Sequence, residues 1–291
     1  LGLKFSLELP KIEDTPRNIL GTQLFNLIES DEIIKVEYLN EFEFMTFSVG
    51  VTAKGSLKGF ARAKASDRLK VNTDSISTLL LFTNKGNVYK IPSFLISNVV
   101  KEEISLENII DGYSKNEKII DVHSIKNFDE RNMVYFFTKK GMIKKTSLKE
   151  YDGNYSIWQA YKFKYENDEV ISVCIEDYSE SEVLIISKKG MAIRFLSDNV
   201  NPMGRIAAGV TGISLKEDDE VIYGKIIDIT SNNSDEIAVD TSRSFEVVLI
   251  TSSKEKKTIS TEEIRIQNRA GRGTNVMVIS LDDEITEVQF S

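Results

Sequence analysis

A Lys-Gly turn set between two short β-branched or aromatic runs returns along this chain, and that repetition constrains the fold more than any other feature. The copies are Val51-Thr-Ala-Lys-Gly55-Ser-Leu-Lys58, Leu81-Phe-Thr-Asn-Lys-Gly86-Asn-Val-Tyr-Lys90, Phe136-Phe-Thr-Lys-Lys-Gly141-Met-Ile-Lys-Lys145 and Ile185-Ile-Ser-Lys-Lys-Gly190-Met-Ala-Ile-Arg194. A decayed copy, Leu249-Ile-Thr-Ser-Ser-Lys-Glu-Lys-Lys257, has lost its glycine. Each reads as a β-hairpin in which Gly takes the φ > 0 position of a tight turn.

A second element follows: an acidic turn leading into a β-branched strand. Its copies are Asp31-Glu-Ile-Ile-Lys-Val36, Asn116-Glu-Lys-Ile-Ile-Asp-Val122, Asp168-Glu-Val-Ile-Ser-Val173, Asp219-Glu-Val-Ile222 and Asp283-Glu-Ile285. A weaker copy is Asp67-Arg-Leu-Lys-Val71. Gly86 to Glu117 is 31 residues, Gly141 to Glu169 is 28 and Gly190 to Glu220 is 30. Glu117 to Glu169 is 52 and Glu169 to Glu220 is 51, a period that suits a four-stranded blade. Gly2 precedes Glu32 by 30 residues and the first residue is not Met, so the sequence is expected to start part-way through a repeat. Gly55 to Asp67 is only 12, which marks a truncated second repeat.

The expected architecture is all-β and propeller-like, a single domain over 1–291 with about six blades. Its repeats run roughly over 1–40 (partial), 41–74 (truncated), 75–126, 127–177, 178–230 and 240–291. No long segment keeps a 3.6-residue apolar period, and only Ser105-Leu-Glu-Asn-Ile-Ile110 has room for a helical turn. The four prolines, at 10, 16, 92 and 202, lie at strand ends or loops. Ser231-Asn-Asn-Ser-Asp-Glu236 reads as an exposed loop.

Catalytic chemistry has little to work with. His123 is the single histidine, in the strand-like Ile119-Ile-Asp-Val-His-Ser124, and Cys174 the single cysteine, in Ile171-Ser-Val-Cys-Ile175. Two such ligands make no zinc site, and Glu217-Asp-Asp-Glu220 lacks the ligand spacing of a calcium loop. Neither a Walker loop nor a dinucleotide fingerprint is present, so no enzyme is expected within this chain. One cysteine permits no internal disulfide, and no apolar run reaches the roughly 18 residues of a membrane span, which points to the cytoplasm. Trp158 and most phenylalanines read as core or interface.

Charge carries more information. Lys and Arg total 37 against 45 Asp and Glu, a net of −8, which excludes a uniformly basic coat. Yet residues 54–70 hold Lys54, Lys58, Arg62, Lys64, Arg68 and Lys70 against Asp67 alone, and 139–149 hold Lys139, Lys140, Lys144, Lys145 and Lys149 with no acid. Lys85, Lys90, Lys188, Lys189, Arg194 and Arg205 continue the pattern, and Arg265, Arg269 and Arg272 punctuate the last repeat. Because the hairpin recurs once per blade, its cations are expected to line one rim while the acids of the Asp-Glu turns fall elsewhere. A curved belt of cations binds phosphate without reading bases, and bending the duplex adds contacts. The competing reading is that charged hairpin tips are solvated edges that discourage aggregation.

These repeats resemble the C-terminal β-pinwheel domain of the A subunit of bacterial type IIA topoisomerases, over nearly the whole chain. The strongest pieces are Val183-Leu-Ile-Ile-Ser-Lys-Lys-Gly-Met-Ala-Ile-Arg-Phe195, Pro202-Met-Gly-Arg-Ile-Ala-Ala-Gly-Val-Thr-Gly-Ile213 and Lys216-Glu-Asp-Asp-Glu-Val221. Leu79–Tyr89 and Val134–Lys145 look like two further blades. The resemblance implies a non-catalytic, monomeric module that binds double-stranded DNA and needs no cofactor of its own. It also implies partners in the whole enzyme: the catalytic core of the same polypeptide, with its magnesium site, and the ATPase B subunit. The gyrase branch carries the heptad Gln-Arg-Arg-Gly-Gly-Arg/Lys-Gly and wraps DNA; the topoisomerase IV branch lacks an intact copy. Here the nearest heptad is Gln267-Asn-Arg-Ala-Gly-Arg-Gly273, with two departures and in the last repeat, which favours the topoisomerase IV branch over gyrase. A third reading, independent of the resemblance, is a propeller-like scaffold that binds proteins through its acidic face.

Overall fold

The computed structural model describes residues 46–52, 55–60, 69–97, 103–110, 112–176, 180–229 and 244–291. The partial first repeat, Lys54, Arg62, Lys64 and the Ser231–Glu236 loop lie outside them.

The hairpins form where the repeat places them. The chain runs through β1 (Thr46–Val51), β2 (Leu57–Phe60), β3 (Leu69–Asp74), β4 (Thr78–Thr83), β5 (Asn87–Pro92), β6 (Glu103–Ile104) and β7 (Ile119–Ile125). It continues with β8 (Met133–Thr138), β9 (Met142–Ser147), β10 (Ile157–Gln159), β11 (Val170–Glu176), β12 (Ser181–Ser187) and β13 (Met191–Leu196). Last come β14 (Val210–Thr211), β15 (Val221–Asp228), β16 (Glu246–Thr251), β17 (Lys256–Ser260), β18 (Thr274–Asn275) and β19 (Ile285–Phe290). Among the described residues helix is confined to single turns: Phe94–Ser97, which sequence reading missed, and 3-10 turns that include Leu106–Asn108 and Leu148–Tyr151.

These strands make five antiparallel sheets, ordered β3-β1-β2-β6, β10-β5-β4-β7, β11-β8-β9-β14, β15-β12-β13-β18 and β17-β16-β19. Sheet and sequence repeat are offset. Three strands of a sheet come from one repeat, but the fourth (β6, β10, β14 or β18) arrives from the next repeat, where it lies between the second and third strands, and pairs with the second hairpin strand. The strands after the acidic turns, β3, β7, β11, β15 and β19, pack against one another in succession and form the inside of the array. The donated strands therefore lie on its outer perimeter.

Apolar layers between consecutive sheets hold the array together. In β12, Val183 and Ile185 pack toward the third sheet, while Leu184 and Ile186 pack toward the fifth. In β8, Val134 and Phe136 face the second sheet and Tyr135 and Phe137 the fourth. A strand buried on both faces must be apolar without interruption, which is why Leu79–Phe82, Val134–Phe137 and Val183–Ile186 read as continuous runs.

Candidate nucleic-acid interface

Each hairpin tip is built the same way. Gly55, Gly86, Gly141 and Gly190 take φ between 76° and 83°, and the N–H of each donates to the carbonyl three residues back. In three of these copies that residue, Thr83, Thr138 or Ser187, also turns its hydroxyl on the acidic turn. Thr138 Oγ1 donates to Asp168 (2.8 Å) and Ser187 Oγ to Asp219 (2.7 Å), while Thr83 Oγ1 reaches Glu117 (2.7 Å). The same aspartates accept the backbone N–H of Lys140 (2.9 Å) and Lys189 (3.1 Å). A bulge where β7, β11, β15 and β19 start, as between Val170 and Ser172, aims the turn at the tip.

The acids therefore do not fall elsewhere; they cap the basic tips. This corrects the expectation of a segregated basic rim, and the cause lies in unsatisfied tip N–H groups and hydroxyls that a carboxylate completes. The glutamate beside each aspartate pairs with the preceding sheet. Lys85 reaches Glu169 (2.9 Å), Lys139 reaches Glu220 (3.2 Å) and Lys188 reaches Glu284 (3.6 Å), while Lys188 also meets Glu220 of its own sheet (3.4 Å). Lys85 holds the Glu169 carboxyl below its ordinary value; at Glu220 burial opposes the charge, yet Lys139 and Lys188 still draw it down. Backbone bonds run beside the pairs: Val170 N donates to Asn84 O, Val221 N to Lys139 O and Ile285 N to Lys188 O, at 2.9–3.0 Å.

A second row of cations ties consecutive sheets nearer the perimeter. Lys90 Nζ donates to Gly153 O (2.8 Å), over the Phe128 ring; Lys145 lies 3.9 Å from Asp198; Arg194 Nη1 donates to Thr261 O (2.7 Å) and its Nε lies 3.2 Å from Glu182. Lys144 leaves the set of candidate phosphate ligands. Its side chain is fully buried beneath the rings of Phe136 and Tyr161, and Nζ donates to the carbonyls of Ala160 and Arg205. Burial, then the nearby Arg205, pushes its ammonium down to about 7.

The loops before the donated strands complete the perimeter. Arg205 Nη1 donates to Gln159 O and Arg269 Nη1 to Thr211 O, both at 2.7 Å. Four residues on, Gly209 (φ 74°) and Gly273 (φ 77°) press against the second hairpin strand; a Cβ there would meet Ile143 O at 2.4 Å or Ala192 O at 2.5 Å. Arg-x-x-x-Gly is thus a clasp from one loop to the donated strand of the preceding repeat, and its spacing was a signal that sequence reading passed over. The same spacing occurs at Arg17 and Gly21, outside the described residues.

Among the described residues, the heads of the remaining described candidates make no hydrogen bond or ion pair. Lys58 lies near the Phe60 ring; Lys140 and Lys189 use only their backbone N–H; Arg265 and Arg272 are exposed and have no ion pair among the described residues. Exposed Lys149 and Lys162, which were not singled out from the sequence as ligands, add to this set. Among the described residues no three His, Cys, Asp or Glu converge on a cation site, and no helix is long and apolar enough to cross a membrane.

The profile of a family described as "DNA gyrase C-terminal domain, beta-propeller" matches residues 77–98, 132–153, 181–228 and 257–290. The A subunit of DNA topoisomerase 4 from Bacillus subtilis is 31% identical over 278 residues, 90% of this chain and 32% of the relative. The A subunit of DNA gyrase from Helicobacter pylori strain J99 is 33% identical over 310 aligned residues, 96% of this chain and 35% of the relative. The chain thus spans about a third of the length of these curated relatives. A crystal structure of the C-terminal domain of DNA topoisomerase IV superposes with a TM-score of 0.69 at 25% identity, covering 86% of this chain and 79% of that one.

Proposed function

We infer what this domain does from one premise: the chain belongs to the family of C-terminal β-propeller domains of bacterial type IIA topoisomerase A subunits, those of DNA gyrase and topoisomerase IV. Its function is to bind duplex DNA along the outer perimeter, bend it and present it to a catalytic centre that lies elsewhere in the same polypeptide. The observation that carries this reading is the division of labour among the arginines of the outer loops. Arg205 and Arg269 are spent on joining repeats, whereas Arg265 and Arg272, on the loop that leads to β18, project into solvent. Lys58, Lys140 and Lys189 extend the phosphate track, together with Lys54, Arg62 and Lys64. Cations on a convex surface favour a bent duplex because bending brings more phosphates into reach.

Within the family we assign the chain to topoisomerase IV, because Asn268 and Ala270 stand where the gyrase heptad has Arg and Gly. The whole enzyme, with its magnesium-bearing core and ATPase B subunit, would then unlink and relax DNA in the cytoplasm, with this domain, a monomer on its own, selecting the captured segment. Ligation of nicked minicircles in the presence of the domain tests the assignment. The expected result is bent DNA without a strong chiral shift of topoisomers; a large positive-writhe shift would place the chain with gyrase.

A further inference from the structure

On the outer perimeter, one surface is neither core nor cation. Tyr155, in the loop between β9 and β10, is 72% exposed, and Ile206, in the loop of the next repeat, is 48% exposed. Exposed apolar residues scattered singly are ordinary. Here they flank a built stack. The Trp158 ring meets Tyr155 edge-on at 5.3 Å and 89°, and Trp158 Nε1 donates to Tyr155 O at 2.9 Å. Gly153 lies so close that a Cβ there would be 2.8 Å from the indole. The Arg205 guanidinium covers the ring at 4.5 Å from its centroid and is fixed by its bond to Gln159 O. Tyr155 therefore stands out from the surface with its ring against the Trp158 indole, and its hydroxyl has no partner among the described residues. A ring already ordered loses little freedom on contact.

We propose that Tyr155, carried on the Trp158–Arg205 stack, is a DNA-contacting residue that packs against the deoxyriboses and the partly unstacked base step of a bent duplex. The inference rests on the DNA-binding reading above. The chemistry favours nucleic acid because an exposed aromatic ring with an unpartnered hydroxyl, on the perimeter assigned to the duplex, offers a flat face to a sugar or an unstacked base and a donor to a phosphate, while Arg205 only supports the indole beneath it. Apolar side chains at bent steps offset part of the unstacking they exploit, and aromatic contacts to bases tolerate any sequence.

Trp158 is the chain's single tryptophan, so its emission reports on this place alone. The test titrates the 291-residue chain with an end-labelled duplex of about 40 base pairs, reading DNA anisotropy and Trp158 emission with iodide quenching. The expected result is that emission changes in step with anisotropy and that iodide access falls. Tyr155→Ala should weaken binding about tenfold with an unchanged salt slope, while Tyr155→Phe retains it. Urea denaturation of Tyr155→Ala should match the unaltered protein, as an exposed ring requires. Binding by anisotropy with unchanged emission and unchanged affinity of Tyr155→Ala would overturn the contact and leave DNA binding standing. Absence of binding even at low salt would overturn both, and the patch would then belong to a protein partner.

Discussion

The fourth and fifth sheets turn their hairpins identically, yet one needs glycine and the other holds lysine. Gly190 and Lys254 have φ of 81° and 71°, and each donates its N–H to the carbonyl three residues back, at 3.1 and 3.0 Å. Both tips are capped by an aspartate, Asp219 or Asp283. The difference lies in what arrives from the next repeat. A Cβ at Gly190 would lie 2.3 Å from the carbonyl of Met277, just beyond donated strand β18, whereas the fifth sheet has no donated strand among the described residues. The turn tolerates a side chain at modest strain; the neighbouring repeat does not.

The sharpest way to break this comparison is to exchange the residues. Gly190→Ala should lose about 3 kcal/mol in urea denaturation, combining left-handed strain with a backbone clash. Lys254→Gly should gain about 1 kcal/mol, since only strain is relieved. Equal and opposite effects at the two sites would show that the donated segment exerts no demand.

The caps should differ next. Asp219 is buried and accepts from Ser187 Oγ and Lys189 N, so Asp219→Ala is expected to cost about 2 kcal/mol by denaturant titration. Asp283 lies nearer solvent, and the hydroxyls of Ser252 and Ser253 hold its carboxyl well below the usual carboxylate range. Its contribution is present above the ordinary carboxylate pKa and is lost as pH falls below it. Asp283→Asn should therefore lower stability at pH 7 and flatten the acid limb of the profile, so that the two proteins converge at low pH.

A pH-dependent effect separates the third sheet from the fourth. Lys144 occupies the position that Ile193 fills one repeat later, three residues past the turn glycine. Unfolded, the lysine keeps its proton to about 10.5, but folded it releases it near 7. The unfolded chain thus binds more protons across that window, and stability should rise with pH from about 7 to 10. Lys144→Ile, which installs the fourth sheet's solution, should abolish that rise in melts at pH 6, 8 and 10; an unchanged slope would mean the ammonium is not desolvated. Smallest of all, Lys139→Met should shift stability by less than about 1 kcal/mol, because the Lys139–Glu220 pair is partly exposed.

The inter-sheet core was legible because Leu79–Phe82, Val134–Phe137 and Val183–Ile186 are continuous apolar runs at a fixed period. The donated strands were not, because β14 and β18 are two residues long and too short to show alternation. Hairpin lysines were found as cations, but their partners were not: Lys85 and Glu169 lie 84 residues apart, in different sheets, and only a folded array brings them together. Lys144 misled for a related reason. In sequence it sits in a basic run, and only the opposing rings and carbonyls reveal that it points inward.

On the proposed function, the cations divide into those that join repeats and those that face DNA. The most direct measurement is duplex affinity from about 50 to 200 mM salt for two variants. Arg265→Ala/Arg272→Ala should lower the magnitude of the log–log salt slope by about two, one per phosphate contact. Lys85→Met/Lys139→Met/Lys188→Met should leave that slope unchanged while lowering the urea midpoint. The opposite pattern, a slope lost with the lysines and kept without the arginines, would contradict the division.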